Sequence, residues 1–202
     1  MNLSEVDTPD GSMLVGASAG VLADLLARLE NEMAAAGAPT EALAPGIAPE
    51  RCREVLRPIE GSIPEEVEVW FQWHNGMLGG TRQPRLLRGL DFWSAEQAAS
   101  ADQSGGLPFG EAEWEWDPRW FRLTGDNYGL IVTTDQRPHP LVRRWNPEIG
   151  TSPLHEPSPL QVVSLCTPVA RWIEAIRERW WIWDPRTDAW DYDPGGPPSF
   201  FR

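Results

Sequence analysis

From Met13 to Ala36 the apolar residues Leu14, Val21, Leu22, Leu25, Leu29 and Met33 recur at intervals of three and four. That spacing predicts an amphipathic helix ended by Gly37. A Pro/Ala/Gly linker follows through Ala48, and Pro49 opens a short helix with Cys52, Val55 and Leu56 on one face. The next helix starts at Ile63-Pro64-Glu65-Glu66. Proline loses no hydrogen bond at a first helical position, and acids suit the positive end of the helix dipole. Val67, Trp70, Phe71 and His74 make its inner stripe, and Asn75-Gly76 closes it. Arg85 to Leu90 reads as a strand, and Ser94 caps a further short helix.

The period shortens in the second half. Trp120 to Leu123, a turn at Gly125-Asp126-Asn127 and a β-branched run ending near Asp135 predict a hairpin. Gly, Asp and Asn accept the positive φ that such turns require. Leu130-Ile131-Val132 is too apolar for an exposed edge and is placed in the sheet interior. Leu141 to Trp145 is another strand, and Gln161-Val162-Val163 a short extended piece. A last helix is expected from Leu165 to Arg179, capped by Ser164 or Thr167, with Pro168 confined to its first turn. Its buried stripe is Val169, Trp172, Ile173 and Ile176; beyond it, Trp181 to Tyr192 predicts an aromatic hairpin that covers the sheet.

These elements describe an α+β chain with a mixed or mainly antiparallel sheet and helices packed on one face. Residues 1–12 are expected to be a flexible arm, 13–192 a single domain, and 193–202 a Pro/Gly tail. A length of 202 residues fits one domain.

Charge narrows the function. The net charge is −13, and all 17 basic residues are Arg. Phosphate recognition rests on cations, so direct nucleic-acid binding is not expected, whereas encounter with a basic partner is favoured. Met1 to Asp10 holds three acids and no base, unlike a signal peptide. No apolar run approaches the roughly 20 residues of a membrane helix. A cytoplasmic location and no membrane association are expected. Cys52 and Cys166 lie in apolar segments, which favours reduced, buried thiols over a disulfide. Twelve Trp are more than one core hides completely, so several are expected to line grooves or the surface.

Candidate chemistry is sparse. His74 reads as a structural histidine, His139 as a solvated residue between Pro138 and Pro140, and His155 as part of a Pro-rich loop. None has a neighbour at metal-ligand spacing. Asp126 and Asp135 read as turn former and strand end rather than a paired acid and base. No nucleophile elbow, P-loop or dinucleotide fingerprint occurs. No enzymatic activity, catalytic residue, metal or cofactor is expected.

Glu111-Ala112-Glu113-Trp114-Glu115-Trp116-Asp117 alternates strictly. Extended, it puts four carboxylates on one side and Ala112, Trp114 and Trp116 on the other. Acids deter sheet-to-sheet pairing at an exposed edge, which is one use for them. The other is a partner-binding ridge, with Trp as anchor and the carboxylates steering a basic partner. Glu111, Glu113, Trp114, Glu115, Trp116 and Asp117 are the candidate binding residues.

The order of signals resembles the SUKH superfamily, in its Smi/Knr-type branch. A helix opens with Ile63-Pro64 and ends in Asn75-Gly76, and Trp93-Ser94 follows. Then come Trp120-Phe121-Arg122-Leu123, a Gly-Asp turn, an apolar strand ending in Asp135, and a late helix near Ser164-Leu165 before an aromatic tail. The resemblance covers roughly Ala48 to Trp180. The family's Leu-Gly ahead of Leu-Pro is represented here only by Ile59-Glu60-Gly61. The resemblance implies a non-enzymatic α+β protein that binds and neutralises a bacterial toxin, often a nuclease; the alternative is an intracellular scaffold of the cell-wall assembly regulator type. The expected partner is a basic toxin domain, and the chain itself a monomer or weak homo-oligomer.

Overall fold

A computed structural model describes residues 4–79, 84–86, 91–100, 119–125, 130–134, 138–144 and 162–192. The chain enters as strands β1 (Glu5–Thr8) and β2 (Gly11–Leu14), followed by helix α1 (Ala19–Ala35). Strand β3 (Leu43–Pro45) precedes helices α2 (Pro49–Val55) and α3 (Glu65–Trp73). Then come β4 (His74–Met77), β5 (Asp91–Phe92) and helix α4 (Ala95–Ser100). Strands β6 (Trp120–Arg122), β7 (Thr124–Gly125), β8 (Leu130–Thr133), β9 (Leu141–Arg144) and β10 (Val162–Val163) lead to helix α5 (Cys166–Arg177). A hairpin of β11 (Trp181–Asp184) and β12 (Ala189–Tyr192) ends the described chain. Most of the strand expected from Arg85 to Leu90 and the tail from 193 lie outside the described residues.

The fold is α+β. Its main sheet has the order β1-β2-β10-β9-β8-β6, antiparallel except for the parallel β2–β10 pair. Register puts Phe121, Val132, Val142 and Val162 in one row across four strands. All four belong to the main core, which α1, α3 and α5 close from that side. The opposite face carries a smaller apolar cluster of Trp120, Ile131 and Leu141, with Val163 packed against it. Successive strand residues point to opposite faces, so Leu130-Ile131-Val132 contributes to both clusters. The apolar run belongs inside the sheet, as expected.

Residues 4–14 depart from the expected arm: β1 pairs with β2, and β2 continues the sheet at β10. Two contacts hold them. Leu14 N–H donates to Thr167 Oγ1, which itself donates to Val163 O, tying β2 and β10 to α5. Arg171 on α5 holds Glu5. Thr167 therefore joins strands to the helix instead of capping it.

Helix starts follow their sequence signals closely. Pro49 is the first residue of α2, and Ser94 forms a capping box with Gln97 by reciprocal backbone bonds. Pro64 stands one place before α3, as its extended cap residue. The far end of α3 differs more. The helix stops at Trp73, and His74 already belongs to β4, paired with β3. Gly125 also has another use than the expected turn. It lies in β7 without positive φ, and a Cβ there would sit 1.9 Å from Trp93 Nε1. The close approach of the indole, not the turn, requires glycine.

The terminal hairpin is aromatic as predicted, but it packs beside α5 instead of across the main sheet. Trp181, Trp183 and Trp190 are buried, and Trp190 Nε1 donates to Leu86 O at 2.8 Å. Trp183 and Trp190 meet edge to face at 5.4 Å, and Trp70 stacks on Phe92 at 5.5 Å. Mutual packing of this kind absorbs the indoles. Trp70, Trp120 and Trp172 are buried as well, while Trp73, Trp93 and Trp180 are half-buried. None of the described Trp is an exposed platform, but Trp181 and Trp183 line a cleft, as expected for part of the set. Among the described residues, no helix is long and apolar enough to cross a membrane.

Candidate functional site

The predicted binding residues Glu111, Glu113, Trp114, Glu115, Trp116 and Asp117 lie outside the described residues, as do Asp126, Asp135 and His155. What the structure describes is their point of entry. Three residues after Asp117 the chain becomes β6, which ends the main sheet and, among the described residues, pairs there with β8 alone. On the sheet face away from the helices, Arg122, Ile131 and Arg143 stand in one row over β6, β8 and β9. The Arg143 guanidinium lies 4.9 Å from the Trp120 ring centre, a cation–π contact. Burial pushes the Arg143 guanidinium below its ordinary pKa. The entry edge thus combines an aromatic, two cations and an apolar floor.

A second constellation lies at the start of α5. Glu66, on α3, is 2 % exposed, which a carboxylate tolerates only when hydrogen-bonded. Its Oε1 accepts from Ser164 Oγ at 2.8 Å and from His139 Nδ1 at 2.8 Å; its Oε2 accepts the Leu165 N–H at 2.6 Å. Ser164 Oγ in turn accepts the Cys166 N–H. The first N–H groups of α5 are therefore met by Ser164, as the sequence suggested, and by a carboxylate from a different helix, placed at the positive end of the α5 dipole. Ser164 adopts φ 69, outside the ordinary range for a residue with a Cβ, to bring hydroxyl and chain into place. His139 is held by Glu66 rather than solvated as the flanking prolines suggested.

Ser, His and a carboxylate in contact invite comparison with a hydrolytic triad. The order is wrong for one. In a triad the imidazole lies between the hydroxyl and the acid and takes the hydroxyl proton. Here the carboxylate lies between them and accepts from both. The arrangement anchors three chain segments; it does not activate Ser164.

His74 is the other satisfied histidine. Nδ1 lies 2.7 Å from Ala44 O and Nε2 3.2 Å from Glu30 Oε2, which also accepts from Trp73 Nε1 at 3.0 Å. Cys52 and Cys166 are buried and unpaired with one another. Burial pushes the Cys52 thiol up to about 12 and raises that of Cys166. Nucleophilic cysteines work as thiolates, and both of these are held neutral. No group of three or more His, Cys, Asp or Glu able to hold a metal occurs among the described residues.

Sequence reasoning treated Glu66 as a first-turn acid and missed the anchor. One signal was readable: Glu66 lies four residues before Trp70 and next to Val67, so it falls on the apolar stripe. An acid on such a stripe needs partners in the interior. Which partners they are depends on residues 73 and 98 positions away. No family model matches the chain, and no curated protein matches it.

Proposed function

We propose that this is a non-catalytic binding protein of the SUKH kind, an immunity protein that neutralises a basic bacterial toxin domain, such as a nuclease, by occluding its active or substrate site. The observation that carries the reading is the run of four alternating carboxylates from Glu111 to Asp117 leading into the edge strand of the main sheet, in a chain of net charge −13. An acidic surface steers a basic partner and raises its association rate. Trp114 and Trp116 alternate with those carboxylates and supply the apolar anchors of an interface.

The order of elements supports the same reading. α3 follows Ile63-Pro64, α4 follows Trp93-Ser94, β6 and β8 pair antiparallel, and α5 follows Ser164-Leu165 before the aromatic hairpin. On this reading the Glu66 anchor keeps the helical layer rigid behind the binding edge, with no cofactor involved.

Affinity capture tests it, using the chain as bait for toxin domains encoded beside its gene and for the native lysate. Recovery of one basic domain at one-to-one ratio, with its activity abolished, is expected. Reversing Glu111, Glu113, Glu115 and Asp117 to Lys should then slow association by about tenfold or more at low salt. Recovery of housekeeping enzymes alone would replace immunity with the scaffold alternative. Unchanged association kinetics would remove residues 111–117 from the interface.

A further inference from the structure

The C-terminal ends of α1 and α5 and strand β11 border a half-open cavity of about 450 Å³, with Arg177 and Arg179 on its exposed side. Ile176, Trp181 and Trp183 give it apolar walls, and Glu32, Arg177 and Arg179 its charged ones. The size suits a compact organic ligand. Charge inside the cavity runs against that of the whole chain. Among the described residues Glu32 is the only acid of the lining, and it is already shared by Arg177, at 3.5 Å, and Arg28, at 3.9 Å. Arg179 makes no ion pair among the described residues and adds a further cation.

The backbone at Arg179 is the second observation. α5 ends in a complete Schellman motif, with Trp180 N–H donating to Ala175 O and Arg179 N–H to Ile176 O. The residue that turns left-handed in this motif is usually glycine, which has no Cβ to strain. Here it is Arg179, at φ 58. Cations near a helix C-terminus complement its dipole, and Arg177 in the last turn already does so. Arg179 adds strain to a turn that glycine would make freely. Strain retained beside a cavity points to use of the side chain.

We infer that this cavity is a binding site for a carboxylate joined to a compact apolar group, with Arg179 as the guanidinium that receives the carboxylate and Ile176, Trp181 and Trp183 as the walls against the apolar part. Guanidinium groups match carboxylates in planar, two-pronged pairs. Such a site would serve a small ligand whatever protein partner the acidic stretch meets.

The test is an NMR titration of the Trp181 and Trp183 indole N–H signals with 3-phenylpropionate and with its neutral amide. The acid is expected to bind with a Kd of about 1 mM or tighter and the amide at least tenfold more weakly. Arg179→Gly should weaken the acid at least tenfold while leaving the melting temperature unchanged or higher, since glycine suits the turn. A decapeptide ending in a phenylalanine carboxylate distinguishes the sources of this chemistry. Tighter binding than the small acid assigns the cavity to chain ends, and weaker binding assigns it to free acids. No saturable shift up to 10 mM, equal binding of acid and amide, or an unchanged Kd in Arg179→Gly would each overturn the assignment.

Discussion

Glu66 and Glu30 both face an imidazole, at 2.8 Å to His139 and 3.2 Å to His74. The two carboxylates differ in enclosure. The Glu66 side chain is 2 % exposed and accepts three hydrogen bonds, one from the N–H at the start of α5. That of Glu30 is 36 % exposed, accepts from Trp73 Nε1 and lies 3.2 Å from His74 Nε2. In the interior, removing one partner leaves the others desolvated and unpaired, and water cannot replace it. At the half-open site water takes over. Similar contacts therefore have different consequences: the Glu66 network decides how α3, α5 and the segment before β9 are placed, while the Glu30 network trims the junction of α3 and β4.

The largest effect is expected from Glu66→Ala. It strands Ser164, His139 and the Leu165 N–H, and should cost about 3–5 kcal/mol in urea unfolding. A cost below about 1 kcal/mol would show that water satisfies these groups and that the anchor is dispensable. Glu66→Gln keeps the shape but replaces one acceptor with a donor, for about 1–3 kcal/mol.

Glu30→Ala should cost less, about 0.5–1.5 kcal/mol, because solvent reaches the site. Double-mutant cycles sharpen the distinction. Glu66 with His139 should couple more strongly than Glu30 with His74. Equal coupling energies would mean that enclosure does not separate the two sites.

The smallest effect concerns the half-open pair Glu5–Arg171, whose side chains are 28 % and 18 % exposed. Partial burial raises the Glu5 carboxyl pKa, but hydrogen bonds from Arg171 and Ser12 and the charge of Arg171 outweigh it and hold the group below 4.5. A carboxyl lowered in the folded state stabilises above its unfolded pKa and loses that contribution as pH falls through the folded value. Wild type and Glu5→Gln should therefore differ in stability at neutral pH, and the difference should shrink as acid protonates Glu5 in the folded chain. A difference that stays unchanged after NMR shows the Glu5 carboxyl protonated would exclude its ionisation as the source.

What could be read from the chain by itself follows local physics. Helical spacing located α1, α2, α3 and α5, because an amphipathic stripe repeats within a few residues. Ser94 and Pro49 marked helix starts, because caps act on the nearest N–H groups. The apolar run Leu130-Ile131-Val132 announced an interior strand because both of its faces are covered. Tertiary structure alone decided the rest. Local turn rules do not account for Gly125, which is required by an indole 32 residues away in the chain. Glu5–Leu14 became strands because β10 and α5 offered an edge and partners more than 140 residues later. Glu66 became an anchor when the fold brought Ser164 and His139 to it. Hydrophobic periodicity reports which side of an element turns inward; what that side meets is set by contacts between residues far apart in sequence, and a buried charge or a close backbone approach takes its meaning from those contacts alone.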